Sequence, residues 1–194
     1  MALVQEPVLV LELEQEQELA HVCGLVHDVG KIGLPAGLLE KPGALSLEER
    51  RLMEQHSVIG ERILKNVANY DEIASVVRHH HERLDGLGYP DGLRGEEIPL
   101  LSRLLAVADA YNAMTSDRPY RDAMPSRVAR LRLAQGVEGQ FDTHVVAAFE
   151  AILAGASEDY RLGRGSEFHP FQSEGPVLGV GERRERVVAV GAIA

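Results

Sequence analysis

The stretch HHHERLDGLGYPDG, residues 79–92, joins three consecutive histidines to a loop rich in glycine. The apolar residues of the segment before it, DEIASVVR, are Ile73, Val76 and Val77. At about 100° per residue, these positions share one face of a helix. His80 then falls near the centre of that face and His81 at its edge, whereas His79 points away from it. The register predicts that His80 and His81 face the core and that His79 lies nearer solvent.

Helical periodicity extends over most of the chain, and strand signals are poor before residue 175. Ser46 and Glu49 have the spacing of a capping box, Gly30 is typical of a helix stop, and Asp142 is typical of an N-cap. The predicted inward positions are Leu19, Cys23 and Val26 in QEQELAHVCGLVH, Leu52, His56, Ile59 and Ile63 in SLEERRLMEQHSVIGERIL, and Leu101, Leu105 and Ala108 in IPLLSRLLAVADAYNAMTS. Two more amphipathic segments, SRVARLRLAQG and DTHVVAAFEAIL, follow. The pattern predicts an all-α helical bundle.

The sequence changes character near Gly155, where glycine becomes frequent and the helical period is lost. Beyond that point only RVVAVGAIA has the composition of a strand. We therefore predict an N-terminal segment over 1–12, a helical domain over 13–154, and a weakly structured C-terminal tail or appendage over 155–194. A length of 194 residues fits one domain with an appendage better than two full domains.

Composition excludes several classes of partner and site. The net charge of −10 gives no general electrostatic attraction to a DNA or RNA polymer, so an anionic substrate needs metals or locally placed cations. The single cysteine, Cys23, rules out a disulfide framework and favours a reducing cytoplasm. The sequence has no run of about eighteen apolar residues, so no membrane segment is predicted. The N-terminal stretch MALVQEPVLVLELEQEQE lacks the basic start of a secretion signal.

Ionisable residues occupy apolar faces on several predicted helices. His56 lies between inward leucine and isoleucine positions, Asp109 follows Leu105 by four residues, and His27 and Asp28 end an apolar stripe. A single inward His is more often a hydrogen-bonded core residue, and a single inward Asp is more often a cap or an ion-pair partner. Such groups on four helices instead favour a shared metal site, because burying them alone is costly.

A mixed set of imidazole and carboxylate ligands suits Mn, Fe, Zn or Ni better than Ca. A shared carboxylate such as Asp28 can bridge two metals about 3.5–4 Å apart, which is the spacing used in two-metal phosphodiester hydrolysis.

Two motifs and two later blocks resemble the HD-GYP family, a branch of the HD metal-dependent phosphohydrolases. HDVGK, residues 27–31, is similar to HDxGK, and HHERLDGLGYP, residues 80–90, is similar to HHExxDGxGYP. The segments 98–121 and 139–149 resemble later family blocks, so the similarity covers about 18–153. The resemblance implies an HD-type helical bundle with a long GYP loop.

The resemblance also implies a function and a site. The implied activity is a phosphodiesterase that hydrolyses cyclic di-GMP to pGpG and GMP through a metal-activated water, with two or three divalent metals, most often iron or manganese. The implied metal ligands are His27, Asp28, His56, His80, His81 and Asp109. The implied substrate contacts are Lys31, Tyr89, Arg118 and Arg121, with Asp28 and Lys31 as catalytic residues. Without the motif, Arg118 and Arg121 read equally well as solvated charge, and the DGLGYPDG loop reads as a surface turn. The implied partners are a cyclic dinucleotide, a diguanylate cyclase or other regulatory protein, and a second copy of the chain in a homodimer.

The sequence departs from the family pattern before His27. Family members carry a further His ligand on a helix some thirty residues upstream, whereas only 26 residues precede His27 here. We therefore expect an N-terminally truncated domain with one metal subsite short of a ligand and only one metal held tightly. Two alternatives stay open: a degenerate module that binds nucleotide or a protein partner with little turnover, and an HD phosphohydrolase of another nucleotide.

Overall fold

A computed structural model describes residues 5–117 and 122–161, with side chains from residue 15 onward. The α-helices are α1 Gln5–Val26, α2 Leu47–Leu64, α3 Asp71–His79, α4 Leu100–Thr115, α5 Ser126–Gln135, α6 Thr143–Gly155 and α7 Glu158–Arg161. Two short 3-10 helices cover Val29–Gly33 and Gly95–Glu97. Within the described residues there is no strand beyond a single bridge between Val137 and Phe141, so the predicted all-α class is confirmed.

The chain divides into two compact units between Ala156 and Ser157. In the second unit the described part is the short helix α7. Helix α1 already begins at Gln5, inside the predicted N-terminal segment 1–12, and the predicted division into three segments stays a proposal. The expected weak structure of the tail and the candidate strand RVVAVGAIA fall on residues that the structure does not describe. None of the described helices combines the length and apolarity that crossing a membrane requires.

The core of the first unit is built around α3, which presents Val77 and Ala74 to neighbouring helices at no measurable exposure. The buried residues of this core are Cys23, Leu64, Ile73, Ala74, Val76, Val77 and Leu105. The predicted capping box is present, since Ser46 and Glu49 bond each other's backbone amides at 3.2 and 2.7 Å. Asp142 caps α6 as predicted. These local signals fix where α2, which carries His56, and α6 begin.

Gly30 brings two backbones into contact. A Cβ atom at Gly30 would lie 1.9 Å from the carbonyl oxygen of His56 and 2.5 Å from the amide nitrogen of Gly60. Any side chain would therefore force the 3-10 helix Val29–Gly33 away from α2. The glycine predicted as a helix stop is in fact a packing residue that sets the segment HDVGK against α2.

Two predicted inward positions are wrong. Leu52 is 45% exposed and Ala108 is also exposed. The buried positions of α2 are His56, Ser57, Gly60 and Leu64, in its second half. The apolar positions of α2 therefore begin before the part of the helix that is buried. Periodicity alone does not show where that buried part begins.

Candidate metal centre

Three histidines, two of them buried and His81 partly buried, form a cluster where α2 meets the end of α3. His56 lies on α2, and His80 and His81 follow directly after α3. The ligand atoms of these three residues, here called the histidine cluster, all lie within 4.8 Å of one another. His56 and His80 are each 1% exposed, and their Nε2 atoms are 3.4 Å apart. The predicted helical register thus places His56 and His80 correctly in the core.

The hydrogen bonds of two of these rings fix their tautomers. His56 Nδ1 lies 2.7 Å from the carbonyl oxygen of Met53, and His80 Nδ1 lies 2.6 Å from that of Val77. Because a carbonyl oxygen only accepts, each Nδ1 carries the hydrogen of a neutral ring. The two Nε2 lone pairs then face each other across 3.4 Å, an arrangement that a shared cation stabilises.

Burial keeps these rings neutral. It lowers the pKa of His80 to about 4 and the pKa of His56 below its usual value. Burial, followed by the neighbouring His80, lowers the pKa of His81 to about 2. Neutral imidazoles are the form that binds a divalent metal. The residues present therefore fit the metal site that the sequence predicts.

A second group, here called the mixed cluster, contains His27, Asp28 and Asp109. His27 Nε2 lies 3.5 Å from Asp28 Oδ2 and 3.7 Å from Asp109 Oδ1, while its Nδ1 donates to the carbonyl oxygen of Gly24 at 2.7 Å. Lys31 Nζ contacts Asp28 Oδ2 at 2.5 Å. The side chains of Asp28 and Asp109 are 37% and 27% exposed, so the mixed cluster is more exposed to solvent than the histidine cluster.

Charges in the mixed cluster are already paired with each other. The neighbouring Asp109 carboxylate raises the pKa of His27 despite the opposing effect of burial. Burial raises the pKa of Asp109, but the imidazoles of His27, His81 and His80 together outweigh it and the net pKa is lowered. His27 and the two carboxylates already stabilise one another, and a metal that binds here must compete with those contacts.

Asp28 connects the two clusters. Its Oδ1 lies 3.6 Å from His56 Nε2, and its Oδ2 contacts Lys31. The rings of His27 and His80 are also neighbours, with centroids 5.4 Å apart. The structure therefore brings all six predicted ligand residues into one region, with Asp28 between the clusters, as a bridging carboxylate requires.

The loop after the histidines is organised by Glu82. This carboxylate is 4% exposed and accepts backbone N–H groups from Asp91, Gly92 and Leu93 at 2.7, 3.0 and 3.1 Å. Gly88 is required where the loop folds back, because its Cβ would lie 2.4 Å from the amide nitrogen of Arg83. No role was predicted for Glu82 from the sequence. The feature that could have indicated its role is the position of this acidic residue directly before a loop that has few apolar side chains to bury.

Tyr89 closes the loop over the histidine cluster. Its ring packs against His81 with centroids 4.8 Å apart and planes inclined by 30°. Burial, and next the charge of Glu54, raises the pKa of Tyr89, so its hydroxyl stays protonated. Tyr89 also lines a cavity of about 340 Å³ that reaches His80, His81 and Asp109. The predicted substrate residue therefore borders open space beside the candidate metal site.

Two cations border this first cavity within the part of the chain that the structure describes. They are Arg50 and Arg83, neither of which was predicted from the sequence. The predicted Arg118 and Arg121 lie outside the described residues and stay a prediction. Arg83 is paired with Asp85 at 2.6 Å, whereas the Arg50 side chain is 72% exposed. The missed signal for Arg50 was its place on α2, within two turns of His56.

His79 is correctly separated from the cluster, but it is not a solvated residue. Its side chain is 15% exposed, and its Nε2 lies 3.0 Å from Asp91 Oδ2. Arg78 forks onto the same carboxylate at 2.7 and 2.8 Å and also contacts Glu61 of α2. These groups hold the far end of the loop. Their contacts explain why the His79 side chain is mostly buried and not fully exposed to solvent.

Comparisons with known proteins agree with this architecture. A cyclic di-GMP phosphodiesterase from Pseudomonas aeruginosa is 44% identical over 131 residues, covering 67% of this chain and 31% of that relative. A 3′3′-cGAMP-specific phosphodiesterase from Vibrio cholerae is 36% identical over 138 residues, covering 71% of this chain and 30% of that relative. The solved structure of an HDG"Y"P protein from Bdellovibrio bacteriovorus matches with a TM-score of 0.56 and 22% identity, covering 73% of this chain and 45% of that chain.

The chain spans about a third of the length of these curated relatives. The HD domain family matches residues 1–145. That match covers most of the chain and includes both clusters, and the chain therefore belongs to the HD domain family.

Proposed function

We propose that this chain is the hydrolytic domain of a metal-dependent phosphodiesterase that converts cyclic di-GMP to pGpG and GMP. One observation carries the proposal: the unprotonated Nε2 atoms of His56 and His80 converge at 3.4 Å beside a cavity that also reaches Asp109 and Tyr89. Neutral imidazoles next to open space suit a metal that must also meet a substrate.

We assign the metal ligands to His56, His80 and His81 at one position and to His27, Asp28 and Asp109 at the other. Iron or manganese fits this mixture of imidazole and carboxylate. When bound, such metals lower the pKa of a coordinated water and withdraw charge from the phosphate. The spacing of the clusters about Asp28, which approaches His56 Nε2 at 3.6 Å, supports two positions with one shared carboxylate.

Residues beyond the ligands hold the substrate and direct protons. Lys31 holds the Asp28 carboxylate at 2.5 Å and so fits the predicted catalytic role through the orientation of Asp28. Tyr89 offers a ring face and a protonated hydroxyl to the nucleotide. Arg118 and Arg121 remain predicted phosphate contacts, and Arg50 adds a cation on the described side of the cavity.

A second cyclic dinucleotide, 3′3′-cGAMP, is the competing substrate, because the Vibrio cholerae relative is named for it. The ribose-phosphate ring is the same in both molecules, so the metal centre alone does not discriminate between them. Discrimination has to come from groups that contact the bases.

The test uses the purified 194-residue chain, loaded with Mn²⁺ or Fe²⁺ and checked for metal by elemental analysis. Chromatography then follows the conversion of cyclic di-GMP, 3′3′-cGAMP and a panel of linear nucleotides. We expect metal-dependent formation of pGpG that stops on chelation. Tight binding of cyclic di-GMP without turnover at saturating metal would instead support the non-catalytic binding module, and turnover of linear nucleotides alone would support another HD phosphohydrolase.

A further inference from the structure

A second cavity of about 430 Å³ adjoins the candidate metal centre. Its lining residues are Ala44, Leu45, Arg50, Met53, Glu54 and Tyr89. Arg50 and Tyr89 also border the first cavity, so the two spaces are neighbours. A ligand whose phosphate lies at the metal centre therefore has this cavity available for the group attached next to it.

The second cavity has apolar walls and two charged groups. Leu45, Met53 and the ring of Tyr89 supply apolar surface. Glu54 is 29% exposed at the side chain, and Arg50 Nε donates to its Oε1 at 3.2 Å. A mostly apolar pocket with a few oriented polar groups is typical of a small-molecule subsite. A flat aromatic base with hydrogen-bonding edges fits this combination.

We propose that the second cavity holds one guanine base of the substrate, recognised by Glu54 and Arg50. Guanine carries two adjacent donors, N1–H and the N2 amino group, which match the two oxygens of a carboxylate. Its O6 and N7 are acceptors and match the donors of an arginine. Adenine presents an acceptor at N1 to the carboxylate and an amino group at N6 to the arginine, so both contacts become unfavourable. This inference rests on the proposed cyclic-dinucleotide activity.

One guanine pocket has a specific consequence for substrate choice. Cyclic di-GMP satisfies it in either of its two equivalent orientations, 3′3′-cGAMP satisfies it in one orientation, and cyclic di-AMP does not satisfy it. In 3′3′-cGAMP the pocket thus selects which of the two phosphodiester bonds meets the metal centre. Water adds to that phosphorus, the bond from phosphorus to O3′ breaks, and O3′ takes the electron pair and a proton. The first product is a single linear isomer.

The experiment compares wild type, Glu54→Gln and a control, Glu48→Gln, which changes an exposed glutamate on the same helix outside both cavities. Each Mn²⁺-loaded protein is assayed with cyclic di-GMP, 3′3′-cGAMP and cyclic di-AMP, and with bis(p-nitrophenyl) phosphate, which has no purine. We expect wild type and Glu48→Gln to prefer the two guanine-containing substrates. In Glu54→Gln the kcat/KM for cyclic di-GMP should fall about tenfold to a hundredfold, as expected for a lost hydrogen bond to a charged group.

Two further readouts separate base recognition from general damage. The Glu54→Gln protein should keep its metal content and its rate on bis(p-nitrophenyl) phosphate, and it should produce both linear isomers from 3′3′-cGAMP where wild type produces one. Equal losses on all substrates, or an unchanged ratio of cyclic di-GMP to cyclic di-AMP, overturns the guanine pocket.

Failure of the proposed activity is distinguishable from failure of the pocket. If wild type cleaves bis(p-nitrophenyl) phosphate but no cyclic dinucleotide, then the proposed function is wrong, and equilibrium binding decides the pocket. Binding of cyclic di-GMP that is at least tenfold tighter than that of cyclic di-AMP, and that depends on Glu54, supports the pocket. Equal affinities, or no binding of either, refutes it.

Discussion

The histidine cluster and the mixed cluster lie side by side and are prepared for metal in different ways. In the histidine cluster, burial holds the rings neutral, and main-chain carbonyls hold the Nδ1 hydrogens of His56 and His80. In the mixed cluster, His27 has a raised pKa and Lys31 contacts Asp28 at 2.5 Å. A cation entering the first cluster finds free lone pairs. A cation entering the second must compete with the ammonium group of Lys31 for Asp28 and with the contacts of His27 to the two carboxylates.

Proximity of ligand-type residues is therefore not the same as readiness to bind a metal. We therefore expect the histidine cluster to hold metal tightly and the mixed cluster to hold it weakly. The internal ion pairs of the mixed cluster are the reason for this expectation. The following predictions test that difference, beginning with the largest effect.

Replacing a ring of the histidine cluster should have the largest effect. His80→Ala should lower metal content and reduce hydrolysis more than a hundredfold. Changing a residue that only hydrogen-bonds to a metal ligand already costs up to about a hundredfold. His79→Ala is the neighbouring control, because His79 contacts Asp91 and not the cluster. It should keep metal and rate close to wild type. Elemental analysis and turnover of the two variants give the measurement, and equal metal loss in both would contradict the helical register.

Metal stoichiometry should separate the two clusters directly. We expect about one metal per chain to survive extensive dialysis, with turnover rising about tenfold or more when Mn²⁺ is added back, because mass action fills the weak site. Asp109→Asn should abolish the activation by added Mn²⁺ but leave the tightly held metal. Two metals retained through dialysis, with no activation, would show that the clusters bind alike.

Lys31 provides a smaller and more specific test. Lys31→Met should tighten Mn²⁺ binding at the mixed cluster by up to about fivefold, because a half-exposed ion pair contributes about 1 kcal/mol or less. Turnover should nonetheless fall, since Lys31 orients Asp28. The matched control is Lys41→Met, which breaks another ion pair of 2.5 Å, with Glu49, away from the site. A calorimetric Mn²⁺ titration measures the affinity of both variants. The same weak affinity in both would show that competition from Lys31 does not weaken Mn²⁺ binding at the mixed cluster.

The metal-free protein should show the smallest effect, in the pH dependence of its stability. The folded-state pKa of His80 is lowered to about 4, below the unfolded value near 6.5. The unfolded state therefore binds this proton first, and stability falls as pH drops from 7 to 5.5, by about 1 kcal/mol for His80. His27 works in the opposite direction because its pKa is raised, so stability from that residue is present at low pH and lost as pH rises.

Thermal unfolding in a chelator at pH 7 and pH 5.5 measures this balance. His80→Gln should flatten the dependence, His27→Gln should steepen it, and His144→Ala, a change at a side chain that is 99% exposed, should leave it unchanged. Asp85 and Asp91 do not interfere, because arginine partners lower their pKa values to about 2. A dependence of the same sign and size in all variants would mean that burial does not hold His80 neutral.

The helical class and the buried face of α3 followed from the sequence because apolar spacing is a local property. His80 could be placed on the buried face in that way, from Ile73, Val76 and Val77, and it is 1% exposed. Leu52 could not, because its burial depends on which part of α2 meets a neighbour. The pairing of Lys31 with Asp28 and the cavity beside Arg50 also depend on contacts between segments. Spacing along one segment carries no information about those contacts.

The loop shows a further limit of reading positions one at a time. Glu82 belongs to the quoted motif, yet its function is to satisfy three backbone N–H groups nine to eleven residues later. The identity of those three residues does not predict their hydrogen bonds to Glu82, because the donors are main-chain N–H groups. The role of Glu82 in organising the turn is therefore visible only in the structure.

The contact of Gly30 with the backbone of α2 limits how this domain can change over evolutionary time. Because no Cβ fits within 1.9 Å of the His56 carbonyl, the offset between HDVGK and α2 is set by main chain against main chain. Drift among the core side chains can then alter stability without changing the separation of the two clusters. A lineage that adopts a different metal must do so by exchanging ligand atoms, and a designer who wishes to alter the spacing must rebuild the segment that carries Gly30.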